Sequence, residues 1–369
     1  MLKIIFFIII IVHGLIHLMG FVKAFNLAPM EQLTQPISKP LGLLWLLTAL
    51  LFLAALILFL LHHNWWWIIA ALAIVISQTL IIFSWRDAKF GTIANLIILL
   101  PVIVAFMNTL PSSFQNVYKR EVQERLKPIT DIPVVGEEDI KHLPDPVKKY
   151  LHYVGAIGKP RVHNCRVVFK GSMKRTKDSN WMDISSRQYN FFADPARFFY
   201  IESALYGIPF DGLHAYAGNS ATMQIKVASL FQVVNARGEK MNQGENVTMF
   251  NDMCFMAPAT LIDKNIQWET IDSLTVKARF TNNNITISAL LYFNEKGELT
   301  NFVSDDRYYC ADGKNYYSYK WSTPVKGYKD LDGRKVPAIA EAIWHMPGEE
   351  FCYARFNTQE VEYNCLEYK

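Results

Sequence analysis

Two histidines stand four residues apart in an otherwise apolar run, within His13-Gly14-Leu15-Ile16-His17-Leu18-Met19-Gly20. On a helix that spacing puts both imidazoles on one face. Such a pair can ligate haem or a metal, or relay a proton, because polar groups inside lipid are costly and tend to mark function. The same pair can instead hydrogen-bond to neighbouring helices, with Gly14 and Gly20 letting the backbones approach closely. Gln78, Asn95 and Asn108 supply intramembrane polar partners, and this second reading is the one we favour. His62 and His63 fall at a helix end, too far out to complete a mid-membrane site.

The other chemistry-bearing residues lie further along the chain. Cys165, Cys254, Cys310, Cys352 and Cys365 lack the CxxC spacing of a zinc site, and no metal or cofactor is expected. If Thr358 and Gln359 form the loop of a final hairpin, Asn357 pairs with Glu360, and counting outward sets Cys352 opposite Cys365. A cross-strand disulfide is then feasible in an oxidising compartment, although ordinary buried thiols remain the preferred reading. Asp305-Asp306-Arg307 and the set Glu202, Asp211 and His214 hold acid–base residue types, but turn or salt-bridge roles suit them better. The chain has no G-x-S-x-G elbow, phosphate loop or HExxH motif, so no catalytic residue is assigned and an enzyme is not the favoured class. Phe198, Phe199, Tyr200, Tyr308, Tyr317 and Trp321 are the candidates to line an apolar ligand site. Core packing explains the same residues at least as well, because alternation along a strand buries half of them.

The elements that must position these groups differ sharply between the two ends of the 369-residue chain. No Asp, Glu, Lys or Arg occurs between Pro40 and Trp85. Four apolar segments are expected to span a membrane as helices: Ile4–Val22, Leu41–Leu61, Trp65–Trp85 and Phe90–Leu110. At 1.5 Å per residue the first covers about 29 Å, close to a hydrocarbon core. The backbone finds no partners in lipid, so helices are required. A cleaved signal peptide is the rival for the first span, but the run is long for one and no small-x-small site follows. Only His62, His63 and Asn64 separate spans two and three, which leaves room for nothing but a tight hairpin. Pro101 is expected to kink the fourth span. Lys23, Lys39, Arg86 and Lys89 flank the first and third loops, which places those loops in the cytoplasm and the C-terminal part outside it. The basic residues Lys119, Arg120, Arg125 and Lys127 argue the other way, with less weight.

Residues 1–110 thus read as a four-helix transmembrane domain and 111–136 as a juxtamembrane helix and linker. Residues 137–369 read as a soluble α+β domain. In Leu143-Pro144-Asp145-Pro146, Asp145 suits a helix cap with Pro146 at the first position. Beyond Arg161 the period becomes two: Leu274, Val276, Ala278 and Phe280 alternate with Thr275, Lys277 and Arg279. Turns at Asn282-Asn283-Asn284 and Asn294-Glu295-Lys296-Gly297 separate further strands. One helix is expected at 246–262. These elements predict a curved antiparallel sheet wrapped around a helix.

The motifs Leu143-Pro144-Asp145-Pro146-Val147 with Tyr150-Leu151, Pro195-Ala196-Arg197-Phe198-Phe199 and Gly207-Ile208-Pro209-Phe210-Asp211-Gly212 carry a resemblance. So do Ala257-Pro258-Ala259 and Glu362-Tyr363-Asn364. Over most of its length the chain resembles an uncharacterised group of bacterial multi-span membrane proteins with a C-terminal domain of unknown function. The strand pattern is also similar to the half-barrel of lipoprotein carriers, which hold acyl chains inside a curved sheet. That resemblance implies a bacterial inner-membrane protein whose extracytoplasmic sheet binds a lipid or other apolar ligand. The alternatives from other classes are a redox or haem protein using His13 and His17, and a scaffold for a membrane complex. A net charge of +4 is small for this length, so nucleic acid is not an expected partner, whereas membrane lipid is.

Overall fold

The computed structural model describes residues 2–128, 132–205 and 207–369; residues 129–131 of the expected linker lie outside them. The chain divides into two compact units, one ending at Ser113 and one carrying Phe114–Leu205 and Pro209–Lys369. The first contains helices α1 (Leu2–Ala24), α2 (Lys39–Leu60), α3 (Trp66–Phe83), the short α4 (Trp85–Ala88) and α5 (Gly91–Thr109). Among the described residues four helices are long and apolar enough to cross a membrane. Phe6, Ile10, Phe52, Ala55, Ala70, Ala73 and Ile98 pack between them. Gly20 and Trp45 meet so closely that a Cβ at residue 20 would overlap the indole, the kind of approach that small residues permit between helices.

The second unit begins with α6 (Phe114–Arg125), α7 (Glu137–Ile140) and α8 (Asp145–Tyr153). Six strands follow: β1 (Asn164–Met173), β2 (Met182–Phe191), β3 (Ala196–Leu205), β4 (Ile208–Ala217), β5 (Ser220–Val227) and β6 (Phe231–Arg237). Next come α9 (Glu239–Phe255) and a 3-10 turn, Pro258–Ile262. The chain then adds β7 (Ile266–Thr270), β8 (Thr275–Asn282), β9 (Ile285–Phe293) and β10 (Leu299–Ser304). It ends with β11 (Tyr308–Tyr309), β12 (Tyr317–Ser318), β13 (Lys320–Ser322), β14 (Val325–Leu331), β15 (Arg334–Met346) and β16 (Glu349–Tyr363).

One open antiparallel sheet takes the order β6-β5-β4-β3-β2-β1-β16-β15-β13-β10-β9-β8-β7, with β14 also paired to β15. Its two edges, β6 and β7, are the strands on either side of α9 in the sequence. The helix must therefore cross one face to join them, and the sheet curves around it. Val247, Phe250, Met253 and Cys254 of α9 meet Val276, Ala278 and Phe280 of β8 and Ile287, Ala289 and Leu291 of β9 in the main core. The same core takes in Val147, Tyr150 and Leu151 of α8. The face holding α9 is called inner below, and the opposite face outer.

Two expectations shift, and one element gains a packing partner. The helix assigned to 246–262 spans Glu239–Phe255, because its first two turns are too polar to show an apolar period and Pro258 stops it early. The juxtamembrane helix packs on the sheet: Phe114, Tyr118 and Val122, one turn apart, lie against Tyr189, Phe191, Phe198, Tyr200 and Leu213 on the outer face. The hairpin that would pair Cys352 with Cys365 does not form. Thr358 and Gln359 lie inside the uninterrupted β16, where Thr358 pairs with Phe169 across the β1–β16 ladder. With no turn between them, Cys352 and Cys365 lie far along the same strand direction, whereas a disulfide needs Cα atoms within about 7 Å. All five cysteines are free, and burial pushes the Cys365 thiol up to about 11. Protein unfolded without reductant should take up five equivalents of an alkylating reagent; an uptake of three would restore the bridge.

Candidate functional site

The first set of candidate residues closes on itself inside the helical unit. His17 Nδ1 donates to the His13 carbonyl at 2.8 Å, so in the neutral ring its Nε2 accepts from the Ser77 hydroxyl at 2.9 Å. His13 Nε2 donates to Asn95 Oδ1 at 2.9 Å. Asn95 Nδ2 donates to Ser77 Oγ at 3.0 Å and to Gln78 Oε1 at 3.1 Å, and Gln78 Nε2 donates to Thr92 Oγ1 at 3.1 Å. Both nitrogens of His17 are thereby committed, and the network fastens α1, α3 and α5 together. Ser77 and Thr92 escaped the sequence reading because single hydroxyls in apolar runs have no periodic signature.

The six aromatic candidates do not converge. Phe198 and Tyr200 face outward under α6, with Tyr118 and Tyr200 stacked at 5.5 Å. Phe199, the residue between them, faces the inner core. Trp321 is buried on the inner face, while Tyr308 and Tyr317 belong to the small β11–β12 ribbon, where Tyr317 is exposed. The acid–base set separates in the same way. Glu202 pairs with Arg187 on the outer face, and Asp211, also outward, is pushed up to about 6 by burial against the opposing pull of Lys226. Only His214 turns inward, 3.4 Å from Glu245.

Around His214 lies a buried ionic array. Arg197 Nε is 2.6 Å from Asp252 Oδ2 and its NH1 is 3.1 Å from Glu245 Oε2, with both ends of each pair almost fully buried. Gln188 and Asn190 of β2 also donate to Asp252, at 2.7 and 3.0 Å, and Arg197 NH2 donates to Gln188 Oε1. Burial alone would raise the Glu245 carboxyl, but Arg197 and His214 outweigh it and hold the group at about 2. The array ties β2 and β3 to α9. It explains how a helix with Glu245, Asn246, Asn251 and Asp252 can be buried on every side, since buried polar groups must find partners.

Beyond α9 the inner face is aromatic. Trp344 packs near Trp321, Tyr309 and Tyr353, with centroids 6.5, 5.7 and 6.1 Å away. Tyr353 is the extra residue of a β-bulge: Ala342 pairs with Ala354 and Ile343 with Cys352. The bulge lets Tyr353 and Ala354 both turn inward. Arg307 lies over Trp321 at 4.2 Å and Trp344 at 5.4 Å, and donates to the Tyr353 hydroxyl at 2.9 Å. Its neighbour Asp306 accepts the Ser288 N–H of β9. Met173, Met346, Tyr353 and Phe356 extend this surface and remain partly exposed.

A third grouping has the order of a hydrolytic triad. Ser322 Oγ is 2.8 Å from His345 Nε2, and His345 Nδ1 is 3.0 Å from Glu350. Ser322 is only 2% exposed, which leaves no path for an acyl carbon to reach its hydroxyl. These residues bond β13, β15 and β16 across the sheet.

No curated protein matches the sequence. A LolA superfamily protein from Nitrosomonas europaea is similar in structure at 9% identity and a TM-score of 0.32, covering 59% of this chain and 93% of that one. A DUF1329 family protein from Desulfovibrio piger is similar at 9% identity and 0.28, over 59% and 91%. Over residues 133–356, from just before α7 to the bulged part of β16, the sequence matches the family of unknown function DUF6544, and the chain belongs to that family.

Proposed function

We propose that the sheet unit binds a lipid or other apolar ligand on its inner face, beside α9, in a protein anchored in a bacterial inner membrane with this unit outside the cytoplasm. One observation carries the reading: Met173, Met346, Tyr353 and Phe356 form an apolar inner strip that α9 leaves partly exposed. The helix lies nearest β5, β6, β9 and β10, whereas the strip belongs to β1, β15 and β16. Fully burying an exposed side chain of this kind is worth about 1.5–3 kcal/mol, and an acyl chain laid along the strip gains the part of that still open on each of the four. The four apolar helices and the flanking Lys23, Lys39, Arg86 and Lys89 support the membrane placement.

The test is lipid extracted from full-length protein purified in detergent, quantified by mass spectrometry beside a Phe356→Asp variant. Lipid on the helices is common to both samples and cancels. The wild type should retain about one more acyl lipid per chain than the variant. Equal retention, with both proteins folded by near-ultraviolet circular dichroism, ends the proposal.

A further inference from the structure

The inner strip ends at Arg307, which is half-buried and whose surroundings differ from those of the buried Arg197. Arg197 is neutralised by two carboxylates, whereas no carboxylate among the described residues stands within 4.0 Å of Arg307. Its field reaches Glu245, but the two form no ion pair. Indole rings cover one side of the guanidinium and a single tyrosine hydroxyl takes one of its N–H groups. A guanidinium carries five N–H donors in a planar fork suited to carboxylate or phosphate oxygens. A half-exposed guanidinium with no carboxylate among the described residues within ion-pair reach, held at the end of an apolar strip, describes a place for an acidic oxygen.

We propose that Arg307, with Trp321 and the Tyr353 hydroxyl, seats the anionic headgroup of an acyl-chain amphiphile whose chain runs over Met173 and Phe356. This rests on the lipid-binding reading above and names its ligand class. The cation–aromatic stack holds the guanidinium in place before the ligand arrives, so little side-chain freedom is lost on binding. Gly244 of α9 helps to position it, because the aliphatic part of Arg307 passes over that residue: a Cβ there would touch Arg307 Cγ at 3.6 Å. The chemistry demanded is a phosphate or carboxylate oxygen. The neighbouring apolar strip selects one attached to a hydrocarbon chain over a free anion.

Native mass spectrometry of the full chain in detergent compares three probes: oleoyl lysophosphatidylglycerol, monoolein and inorganic phosphate. Wild type should bind the anionic lipid about tenfold more tightly than monoolein, the scale of one charge-assisted pair of hydrogen bonds. Arg307→Gln should remove that preference while monoolein binding persists, and Arg307→Lys should keep part of it. Phe356→Asp should abolish both lipids. Equal binding of the two lipids by wild type, or an unchanged preference in Arg307→Gln, overturns the headgroup assignment and leaves the lipid-binding reading standing. Phosphate binding as tightly as the anionic lipid overturns the amphiphile in favour of a free anion. Failure of both lipids to bind removes the parent reading and this one together.

Discussion

Arg197→Met should destabilise the sheet unit by about 3–5 kcal/mol at neutral pH, among the largest losses any single substitution here can cause. The residue is 7% exposed and bonds to both Glu245 and Asp252, so its removal strands two carboxylates in the core. Gln188 and Asn190 still donate to Asp252, but neutral amides cannot replace a guanidinium. The pH dependence gives the cause away. Glu245 is held at about 2 in the folded protein, against roughly 4.3 in an unfolded chain. Its share of stability, about 3 kcal/mol, is therefore complete above pH 4.3 and lost as pH falls towards 2. The variant lacks the part of that share that Arg197 supplies, while His214 remains, so its deficit against wild type should be full at pH 7 and shrink below pH 4.3. Replacing all three charges, as Arg197→Met, Glu245→Gln and Asp252→Asn, should recover most of the loss, because the cost is unpaired charge and not missing volume. Near-ultraviolet circular dichroism melts of the full chain in detergent read these differences. A deficit that stays constant from pH 7 to pH 3 would mean that Arg197 acts by packing alone.

The same array shows what could and could not be foreseen from the sequence. Strands and turns written as short-range patterns were legible: Asn283 and Asn284 do take left-handed conformations between β8 and β9, and Gly297 does so before β10. The four apolar helices were legible for a similar reason, since each is one continuous run. What joins distant parts was not. Arg197 was visible only as a member of a motif, and Glu245 and Asp252 carry no signal until α9 is known to cross the sheet. Their separation in sequence hides them, as it hides Arg307, which stood out only for its two acidic neighbours. The aromatic candidates scattered because adjacent residues of β3 face opposite ways and α6 covers the outer ones. A residue-type count cannot register that a second helix has claimed half the rings. The β14–β15 hairpin is written in the same short-range code: Asp332 and Gly333 both have positive φ, the pattern an Asp-Gly pair favours in a two-residue turn. The β16 expectation failed for the opposite reason. Thr358-Gln359 has no turn chemistry, so nothing in the sequence reverses the chain there.

Gly171→Ala should cost at least about 3 kcal/mol, towards the upper end of core overpacking, although alanine adds only one carbon. The conformation at Gly171 is ordinary for a strand; what is missing is space. A Cβ there would fall well inside contact distance of the Arg355 carbonyl oxygen and close to the Phe356 Cα. Those are backbone atoms, which cannot rotate away as a side-chain tip would. The crowding follows from two bulges in β16. One places Gln359 between the partners of Val168 and Phe169, and the other inserts Tyr353 opposite the Ala342–Ile343 step. Bulges bend and twist a strand, and between these two the β16 backbone comes down onto β1 at Gly171. The bulge at Tyr353 turns that side chain inward beside Phe356, which pairs with Gly171, so the close approach at the glycine and the proposed ligand strip share one stretch of β16. Hydrogen exchange of the full-length variant in detergent should show faster exchange in β1 and β16 with α1, α3 and α5 unchanged. Binding of oleoyl lysophosphatidylglycerol should fall in parallel, because Phe356 cannot keep its place when the β16 backbone is displaced. Exchange and melting indistinguishable from wild type would show that β16 can retreat freely, and the rigid bend invoked to present the strip would then have to be abandoned.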